Sequence, residues 1–263
     1  MEASLDTRDL EAKVKDMYRH VAEEPQGKYH FELGRPLAER LGYPAEVLDQ
    51  VPAGAIESFA GVGYFFDLAS LASGERVVDL GSGSGMDVFF AAEQVGAAGS
   101  VVGIDYTEEQ LEKARRLAAE GDFRQVEFRA GRIEHVPLEA ESCDCVISNG
   151  VINLAPEKPR VFAEVARVLR PGGRLAIADI ISEVQMKESI VCDADLWASC
   201  IGGAAQQDAY RAAIEGAGLE IEELRDNPYE FISERARNAS AKYGVKSVSL
   251  LARKTASFKP KST

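Results

Sequence analysis

The sequence predicts an α/β fold in which about seven strands form one mostly parallel sheet with helices on both faces. From Gly74 onward, short apolar runs bounded by glycine alternate with helical stretches, and no internal repeat or low-complexity tract interrupts them. Such alternation is typical of βαβ units, which place parallel strands side by side. A chain of 263 residues can also bury a core of this kind without metal or disulfide staples.

Each element follows from its own pattern of apolar residues. The predicted strands are Arg76–Leu80, Ser100–Asp105, Val126–Ala130, Cys143–Ser148, Arg174–Ile181, Leu219–Leu224 and Ser247–Ala252. The predicted helices are Met86–Val95, Glu108–Glu120, Lys158–Leu169, a stretch around Asp193–Gly203, Asp208–Glu215 and Ser233–Tyr243. In these helices apolar residues recur at a spacing of three or four, as on the buried face of a helix.

The N-terminal region has a different character. A charged amphipathic helix is expected from Leu5 to about His20, with Asp6 or Thr7 as its N-cap. Four prolines between Glu24 and Gly63 predict short helices and loops, which we interpret as a lid rather than core. We therefore expect an N-terminal helical cap over 1–63, a ligand-binding core over 64–182, and substrate-side helices with the last strands over 183–263.

Composition excludes several classes of partner and compartment. The chain has 43 acidic and 30 basic residues, a formal net charge of −13, which opposes binding to nucleic acid or an anionic membrane. Four unevenly spaced cysteines do not form the framework of a disulfide-stapled secreted domain. The N-terminus lacks a signal-peptide pattern, and no run approaches the roughly 20 apolar residues of a membrane span. We expect a cytoplasmic protein.

A glycine-rich turn, with Gly81, Gly83 and Gly85, follows the first strand and precedes a helix. Glycines let the backbone approach a ligand, and free N–H groups at a helix start favour a negative group. A dinucleotide fold requires a glycine where Met86 stands, which disfavours an NAD-dependent oxidoreductase. Asp105 ends the next strand, where a carboxylate can accept hydrogen bonds from both ribose hydroxyls, so a nucleoside ligand is implied.

Two further candidate positions follow the third and fourth strands. The segment 131–134 (Gly-Arg-Ile-Glu) offers backbone groups and an apolar side chain where a base would lie, and the fourth strand ends in Ser148 and Asn149. The carboxyl ends of parallel strands meet at one edge of the sheet, beside the topological switch point where open α/β sheets bind ligands.

These motifs together resemble the class I S-adenosylmethionine-dependent methyltransferases over about Gly74 to Ile181. The resemblance rests on D-L-G-S-G-S-G, G-I-D, G-R-I-E, V-I-S-N and V-L-R-P-G-G-R-L. It implies a Rossmann-like core, S-adenosylmethionine as cofactor and S-adenosylhomocysteine as product. The glycine loop would meet the methionine part, Asp105 the ribose, Ile133 and Glu134 the adenine, and the end of the fourth strand the sulfonium. The candidate cofactor-binding residues are Asp79, Gly81, Ser82, Gly83, Asp87, Asp105, Tyr106, Arg132, Ile133, Glu134, Ser148 and Asn149.

A narrower resemblance, to the arsenite methyltransferases, covers three further stretches: A-G-V-G at 60–63, N-G-V-I-N-L-A-P-E-K at 149–158 and L-W-A-S-C-I-G-G-A at 196–204. That family holds trivalent arsenic with three cysteines, of which this chain keeps only Cys200. Val62 and Gly150 occupy the other two places. Because As(III) is gripped by thiolates, a single thiolate disfavours arsenite as the substrate. Cys143 and Cys145 are expected on one face of their strand, away from the cleft, as small buried residues.

The resemblance therefore implies methyl transfer to a small-molecule acceptor, and we expect no nucleic acid, membrane or metal to be involved. Methyl transfer from a sulfonium depends on alignment and water exclusion, and no catalytic side chain is assigned. The candidates for the substrate pocket are Asn153, Trp197 and Cys200. Two alternatives remain open: a metalloid methyltransferase that uses a reduced cysteine set, and a protein that binds S-adenosylmethionine without turnover.

Overall fold

The computed structural model describes residues 6–191, 193, 196–197 and 201–255. Eight strands form one sheet: β1 (Arg76–Leu80), β2 (Ser100–Asp105), β3 (Val126–Ala130), β4 (Cys143–Asn149), β5 (Leu169–Ser182), β6 (Ala205–Gln206), β7 (Leu219–Asp226) and β8 (Lys246–Lys254). Their order is β3-β2-β1-β4-β5-β8-β7, and the two-residue β6 pairs with β5. The first five strands of this order are mutually parallel, whereas β8 is antiparallel to both β5 and β7. The predicted fold class is confirmed.

Short helices precede the sheet and longer ones connect its strands. The described helices are α1 (Thr7–Glu23), α2 (Arg35–Leu41), α3 (Ala45–Leu48), α4 (Ala53–Glu57), α5 (Phe66–Ala69), α6 (Met86–Val95), α7 (Glu108–Glu120), α8 (Lys158–Val168), α9 (Glu188–Val191), α10 (Gln207–Gly216) and α11 (Glu234–Tyr243). A short 3-10 helix, Ile152–Leu154, lies between β4 and α8. Asp6 caps α1 by accepting from the N–H groups of Arg8 and Asp9, as expected. No helix in the described ranges has both the length and the apolar composition of a membrane span.

The strands β1 to β3 and the helices α6 and α7 have the predicted bounds. The strand β5 begins five residues earlier than expected, because the Pro171-Gly172-Gly173 turn is an irregular part of the strand rather than a turn before it. The predicted helical stretch at 193–203 lies partly outside the described residues.

Two large clusters of buried apolar side chains make up the core. Successive residues Cys145, Val146 and Ile147 of β4 alternate between them, so the clusters lie on opposite faces of the sheet. The segment 24–63 contributes Leu37, Leu48 and other buried residues to the first cluster. The expectation that this segment lies outside the core is therefore wrong, because its short helices bury apolar residues in the first cluster, where α3 packs on α6 and α4 on α7. The three proposed domain boundaries stay a prediction.

The positions of Cys143 and Cys145 also differ from expectation. Both are fully buried, but they belong to different clusters. The register between β4 and β5 shifts between these residues, since Cys143 pairs with Leu169 and Cys145 with Arg174. This irregularity turns the two thiols to opposite faces of the sheet, where sequence spacing alone places them on one.

Candidate active site

A cavity lies at the carboxyl ends of β1, β2 and β4 and encloses about 1160 Å³ of space, part of it open to solvent. All but one of the candidate cofactor-binding residues line it: Asp79, Gly81, Ser82, Gly83, Asp87, Asp105, Tyr106, Arg132, Ile133, Glu134 and Asn149. The helix α1 closes the cavity from the other side with Leu10, Glu11, Val14 and Tyr18.

The glycine loop is fixed by backbone bonds to the neighbouring strand. The N–H groups of Gly81 and Ser82 donate to the carbonyl of Ile104, at 2.8 and 3.0 Å. Gly81 has a φ of +76°, and a β-carbon there would lie 2.4 Å from a methyl group of Val151. Only glycine fits at this position, both for its left-handed backbone and for the close approach of the loop after β4.

Asp105, at the end of β2, holds the turn that faces it. One carboxylate oxygen accepts the Gly83 N–H at 2.9 Å and the other accepts the Thr107 N–H at 2.8 Å. Burial raises the pKa of Asp105, although these backbone donors favour the charged form. A carboxylate at the cavity wall with part of its acceptor capacity unused suits hydroxyl donors from a ligand.

The cavity wall contains a buried hydroxyl that lacks a partner in the described part of the chain, and a buried carboxyl group. The hydroxyl is that of Ser82, and the carboxyl group is that of Asp79, which is 2% exposed. Burial, with Asp87 and Asp105 nearby, raises the pKa of Asp79 well above its ordinary value. A buried acid of this kind is stabilised by a ligand that brings positive charge.

Asp87, in the first turn of α6, belongs to a network that joins three parts of the chain. Its two oxygens accept from the Tyr43 hydroxyl at 2.6 Å and from Asn149 Nδ2 at 3.0 Å. Burial raises the pKa of Asp87 to about 6, against the effect of these two donors. Asn149 Oδ1 in turn accepts the N–H of Val62 at 2.8 Å. Asn149 thus connects the end of β4 to α6 and to the 60–63 turn.

Helix α1 is held over the cavity by polar contacts at both ends. Near its start, Glu11 forms an ion pair with Arg132 from the segment after β3. Near its end, the carbonyl of Tyr18 accepts from Gln110 Nε2 of α7 at 2.7 Å. The side chains of Leu10 and Val14 on the same helix face the cavity. A ligand in the cavity would therefore be covered by α1.

Ser148 is the candidate that the structure places away from the cavity. Its hydroxyl donates to the carbonyl of Leu80 at 2.7 Å, and the residue is 1% exposed. This hydrogen bond joins β4 to β1, and a place for Ser148 at the sulfonium end stays a prediction.

Comparison with known proteins identifies the family to which this chain belongs. A family profile described as "Methyltransferase domain" matches residues 71–218. The solved structure of an arsenic(III) S-adenosylmethionine methyltransferase from Chlamydomonas reinhardtii superposes with a TM-score of 0.68 at 32% identity, over 80% of this chain and 72% of that one. The chain belongs to the class I S-adenosylmethionine-dependent methyltransferases. S-adenosylmethionine is its cofactor.

Curated relatives place this methyltransferase near the arsenite methyltransferase family. The arsenite methyltransferase of Halobacterium salinarum is 45% identical over 199 residues, which are 75% of this chain and 51% of the relative. That of Aquipseudomonas alcaligenes is 42% identical over 142 residues, 51% of this chain and 41% of the relative. The chain thus spans about half the length of the curated relatives that it matches.

The cavity wall of the methyltransferase fits this cofactor chemically. Glycines let a ligand approach the backbone closely, and Asp105 offers acceptors for hydroxyl groups. The unpartnered Ser82 hydroxyl and the Asp79 carboxylate offer partners for a polar, positively charged group. No cluster of three or more His, Cys, Asp or Glu in the described part of the chain is arranged to hold a metal ion.

The candidate substrate residues of the methyltransferase lie outside the cavity wall or outside the described residues. Asn153 is fully buried, and its Nδ2 donates to Asp179 at 2.7 Å. Trp197 is 4% exposed and packs with Leu10 and Val14 of α1. Cys200 lies outside the described residues. Substrate contact by these three residues stays a prediction.

The sequence did not reveal several wall residues of the methyltransferase. Leu10, Glu11 and Val14 come from a helix whose apolar face predicts burial but not where it docks. Val151 and Leu154 lie in the stretch 149–158 that carries the narrower resemblance, but the motif did not show that these two side chains line the cavity. We call Leu10, Val14, Val151 and Leu154 the apolar wall.

Proposed function

We propose that this methyltransferase transfers a methyl group from S-adenosylmethionine to a small molecule that is neutral or cationic. One observation carries the proposal: the glycine loop and the buried acids Asp79 and Asp105 share a single cavity with the apolar wall. The polar side suits the cofactor and the apolar wall suits the body of an acceptor.

For the cofactor we propose the following division of the wall. Gly81, Ser82 and Gly83 meet its methionine part, and Asp105 accepts from its ribose. Tyr106 and the segment 132–134 flank its adenine. Asp79 and Asp87 supply negative charge for its cationic groups. These roles are supported by the lining of the cavity and by the buried polar groups described above.

The charged residues of the cavity wall indicate which class of acceptor fits the site. Among the described residues, five carboxyl groups line the cavity, against one guanidinium, that of Arg132. The carboxyl groups are those of Glu11, Asp79, Asp87, Asp105 and Glu134. The guanidinium is already paired with Glu11. A carboxylate or phosphate ester would find no unpaired cationic side chain among the described lining residues, which disfavours an anionic acceptor.

When bound, S-adenosylmethionine supplies a methyl group on a sulfonium leaving group, so alignment and exclusion of water are the main tasks of the protein. In this chain α1 covers the cavity, and the side chains of the apolar wall offer water no hydrogen-bond partner on that side. We assign no general base. Both free thiols among the described residues, Cys143 and Cys145, are buried and unpaired, which supports a reducing compartment such as the cytoplasm.

A panel of acceptors with labelled cofactor tests the proposal. The panel holds thiols, phenols, amines, carboxylates and arsenite, and labelled product is separated by chromatography. We expect product from a neutral or cationic member and none from the carboxylates. Asp105→Ala should abolish the product, whereas Glu127→Gln, which removes an exposed carboxylate of β3, should not. Cofactor binding without product from any member would favour a non-catalytic binding protein.

A second candidate is a metalloid methyltransferase with a reduced cysteine set. The 45% identity to the Halobacterium salinarum arsenite methyltransferase favours it. Val62 and Gly150 stand where that family has two cysteines, and burial raises the pKa values of Cys143 and Cys145 to about 12, so neither offers a thiolate at neutral pH. Methylation of arsenite in the panel would decide for this candidate.

A further inference from the structure

Lys158, the first residue of α8, carries a buried ammonium. The residue is 8% exposed, and its Nζ donates to the carbonyls of Asn153 and Ala155, each at 3.0 Å. The same Nζ lies 4.8 Å from the centroid of the Trp197 ring. Three separate parts of the chain therefore meet at one positive charge.

A lysine is unfavourable at this position for two reasons. The N-terminus of a helix carries partial positive charge, which repels a cation. Burial also lowers the pKa of Lys158 to about 8, and Asp179, itself buried, is the described charged group that opposes this effect. A methionine of similar length would avoid both costs while filling the same space. Packing alone therefore does not explain why a lysine stands here. Its ammonium, with the hydrogen bonds and the ring contact, has a further role.

The two carbonyls belong to the segment 151–156, which supplies Val151 and Leu154 to the apolar wall. The same segment is held independently by Asp179, which accepts the backbone N–H of Asn153 at 3.2 Å and its Nδ2 at 2.7 Å. Asp179 also accepts from the Tyr210 hydroxyl at 2.6 Å. Lys158 and Asp179 thus both hold Asn153, which lies between the two wall residues in sequence. Lys158 also holds Ala155, which directly follows Leu154.

Trp197 connects this segment to α1. It forms a small cluster with Leu10 and Val14, against which Leu154 packs, apart from the two large cores. The Lys158 ammonium lies over the ring of Trp197. Such a cation–π contact is favourable when the cation is desolvated. The ammonium therefore links the two elements that make up the apolar wall, namely α1 and the segment 151–156.

We propose that Lys158 is a positioning residue for methyl transfer, because its ammonium fixes the segment 151–156 and the ring of Trp197 and so aligns an acceptor on the apolar wall. The inference rests on the proposed function, in which the acceptor lies on that wall. Small misplacements are costly in such a reaction, since an error of about 1 Å can lower the rate about 100-fold.

The variants Lys158→Met and Lys158→Arg test this role, with Lys242→Met as the matched control. Lys242 Nζ also faces an aromatic ring, at 5.2 Å from the centroid of Tyr243, but it lies on α11 and not on the cavity wall. The chain has one tryptophan, so its fluorescence reports on Trp197 alone. Wild-type emission should change with a midpoint near pH 8, the pKa of Lys158. Lys158→Met should lose this transition, Lys158→Arg should keep the low-pH emission throughout, and Lys242→Met should titrate as wild type does.

Activity supplies the second readout, with the compound of the panel that wild type methylates and with S-adenosylhomocysteine as the binding probe. Lys158→Met should lower kcat by about 10- to 100-fold and leave the affinity for S-adenosylhomocysteine unchanged, and Lys158→Arg should restore most of the rate. A wild-type kcat in Lys158→Met, or a tryptophan titration that this variant leaves intact, would overturn the inference.

The two proposals fail in different ways. If wild type binds no S-adenosylhomocysteine, the proposed function fails, but the titration of Trp197 needs no ligand and still decides whether Lys158 holds the ring. If Lys158→Met does not fold, Lys158→Arg and wild type carry the test. The inference is overturned if, from neutral pH to the onset of alkaline unfolding, wild type shows no tryptophan transition that Lys158→Arg lacks.

Discussion

Val62 and Gly150 face each other so closely that a β-carbon on Gly150 would lie 3.1 Å from Cγ1 of Val62. The resemblance to the arsenite methyltransferases implies cysteine at both positions. Here Val62 is 2% exposed within the apolar core, and Gly150 has a left-handed φ of +72°. A packed apolar contact thus stands where the resemblance implies a pair of thiols, and this supports an acceptor other than arsenite.

This contact predicts that replacing glycine by alanine destabilises the protein more at Gly150 than at Gly172. Gly150→Ala should destabilise the protein by about 2 kcal/mol or more, because the left-handed backbone and the contact with Val62 both resist a side chain. Gly172→Ala is the control, since it has a similar φ of +75° but nothing within 4 Å of its β-carbon. That variant should lose only about 1 kcal/mol. Equal losses in urea unfolding would show that the Val62 contact carries no energy.

The pH dependence of stability should report on Asp87. Its pKa is raised to about 6 in the folded protein, above the value of about 3.9 in an unfolded chain. A raised carboxyl pKa means that its stabilising contribution is present at low pH and is lost as the pH rises through about 6. The free energy of unfolding of wild type, relative to Asp87→Asn, should therefore fall between about pH 4 and pH 6. A difference that stays constant across this window in urea unfolding would contradict the raised pKa.

The cofactor should weaken this pH dependence. A cation near Asp79 and Asp87 favours their charged forms, so saturation with S-adenosylmethionine should reduce the decline of wild-type stability between about pH 4 and pH 6. S-adenosylhomocysteine lacks the sulfonium charge and should reduce it less. Identical effects of the two ligands would indicate that the buried acids do not face the sulfonium.

The ion pair between Glu11 and Arg132 should slow ligand release, because it holds α1 over the cavity. Glu11→Gln should speed dissociation of S-adenosylhomocysteine by about two- to fivefold, a modest effect since the pair is partly exposed to solvent. Asp9→Asn is the control, because it removes an ion pair with Lys13 on the same helix. Stopped-flow displacement measures both rates, and equal rates for the two variants would count against α1 as the cover.

The two buried thiols should be inert in the folded protein. Burial raises the pKa values of Cys143 and Cys145 to about 12, so neither forms a thiolate at neutral pH. Iodoacetamide should modify their peptides, as mapped by mass spectrometry, only after unfolding in urea. Rapid modification of either peptide in native buffer would contradict this, because it would show that Cys143 or Cys145 forms a reactive thiolate in the folded protein.

Sequence reasoning reached the parts of this protein that short-range patterns determine. The bounds of β1, the glycine loop and Asp105 follow from a buried strand, a turn that needs glycine and a second strand, all close together in the chain. The docking of α1 depends on Gln110 and Arg132, about 100 residues away in sequence, and no local pattern encodes it. The irregularity that separates Cys143 from Cys145 depends in the same way on the register of β5.

Asn149 illustrates a residue whose importance was predicted and whose contacts were not. Its place at the end of β4 predicted a site residue, and the structure does bring it to the cavity. Its side chain, however, is largely used to join Val62, Gly63 and Asp87. A sequence motif identifies such a position but does not show which hydrogen bonds its side chain makes to other groups of the protein.

Calorimetry with S-adenosylhomocysteine tests most directly whether this cavity is the cofactor site. Wild type and Glu127→Gln should bind it alike, and Asp105→Ala should bind at least about tenfold more weakly, as expected for the loss of hydrogen bonds to a charged acceptor. Unchanged binding by Asp105→Ala, or no binding by wild type, would contradict the account.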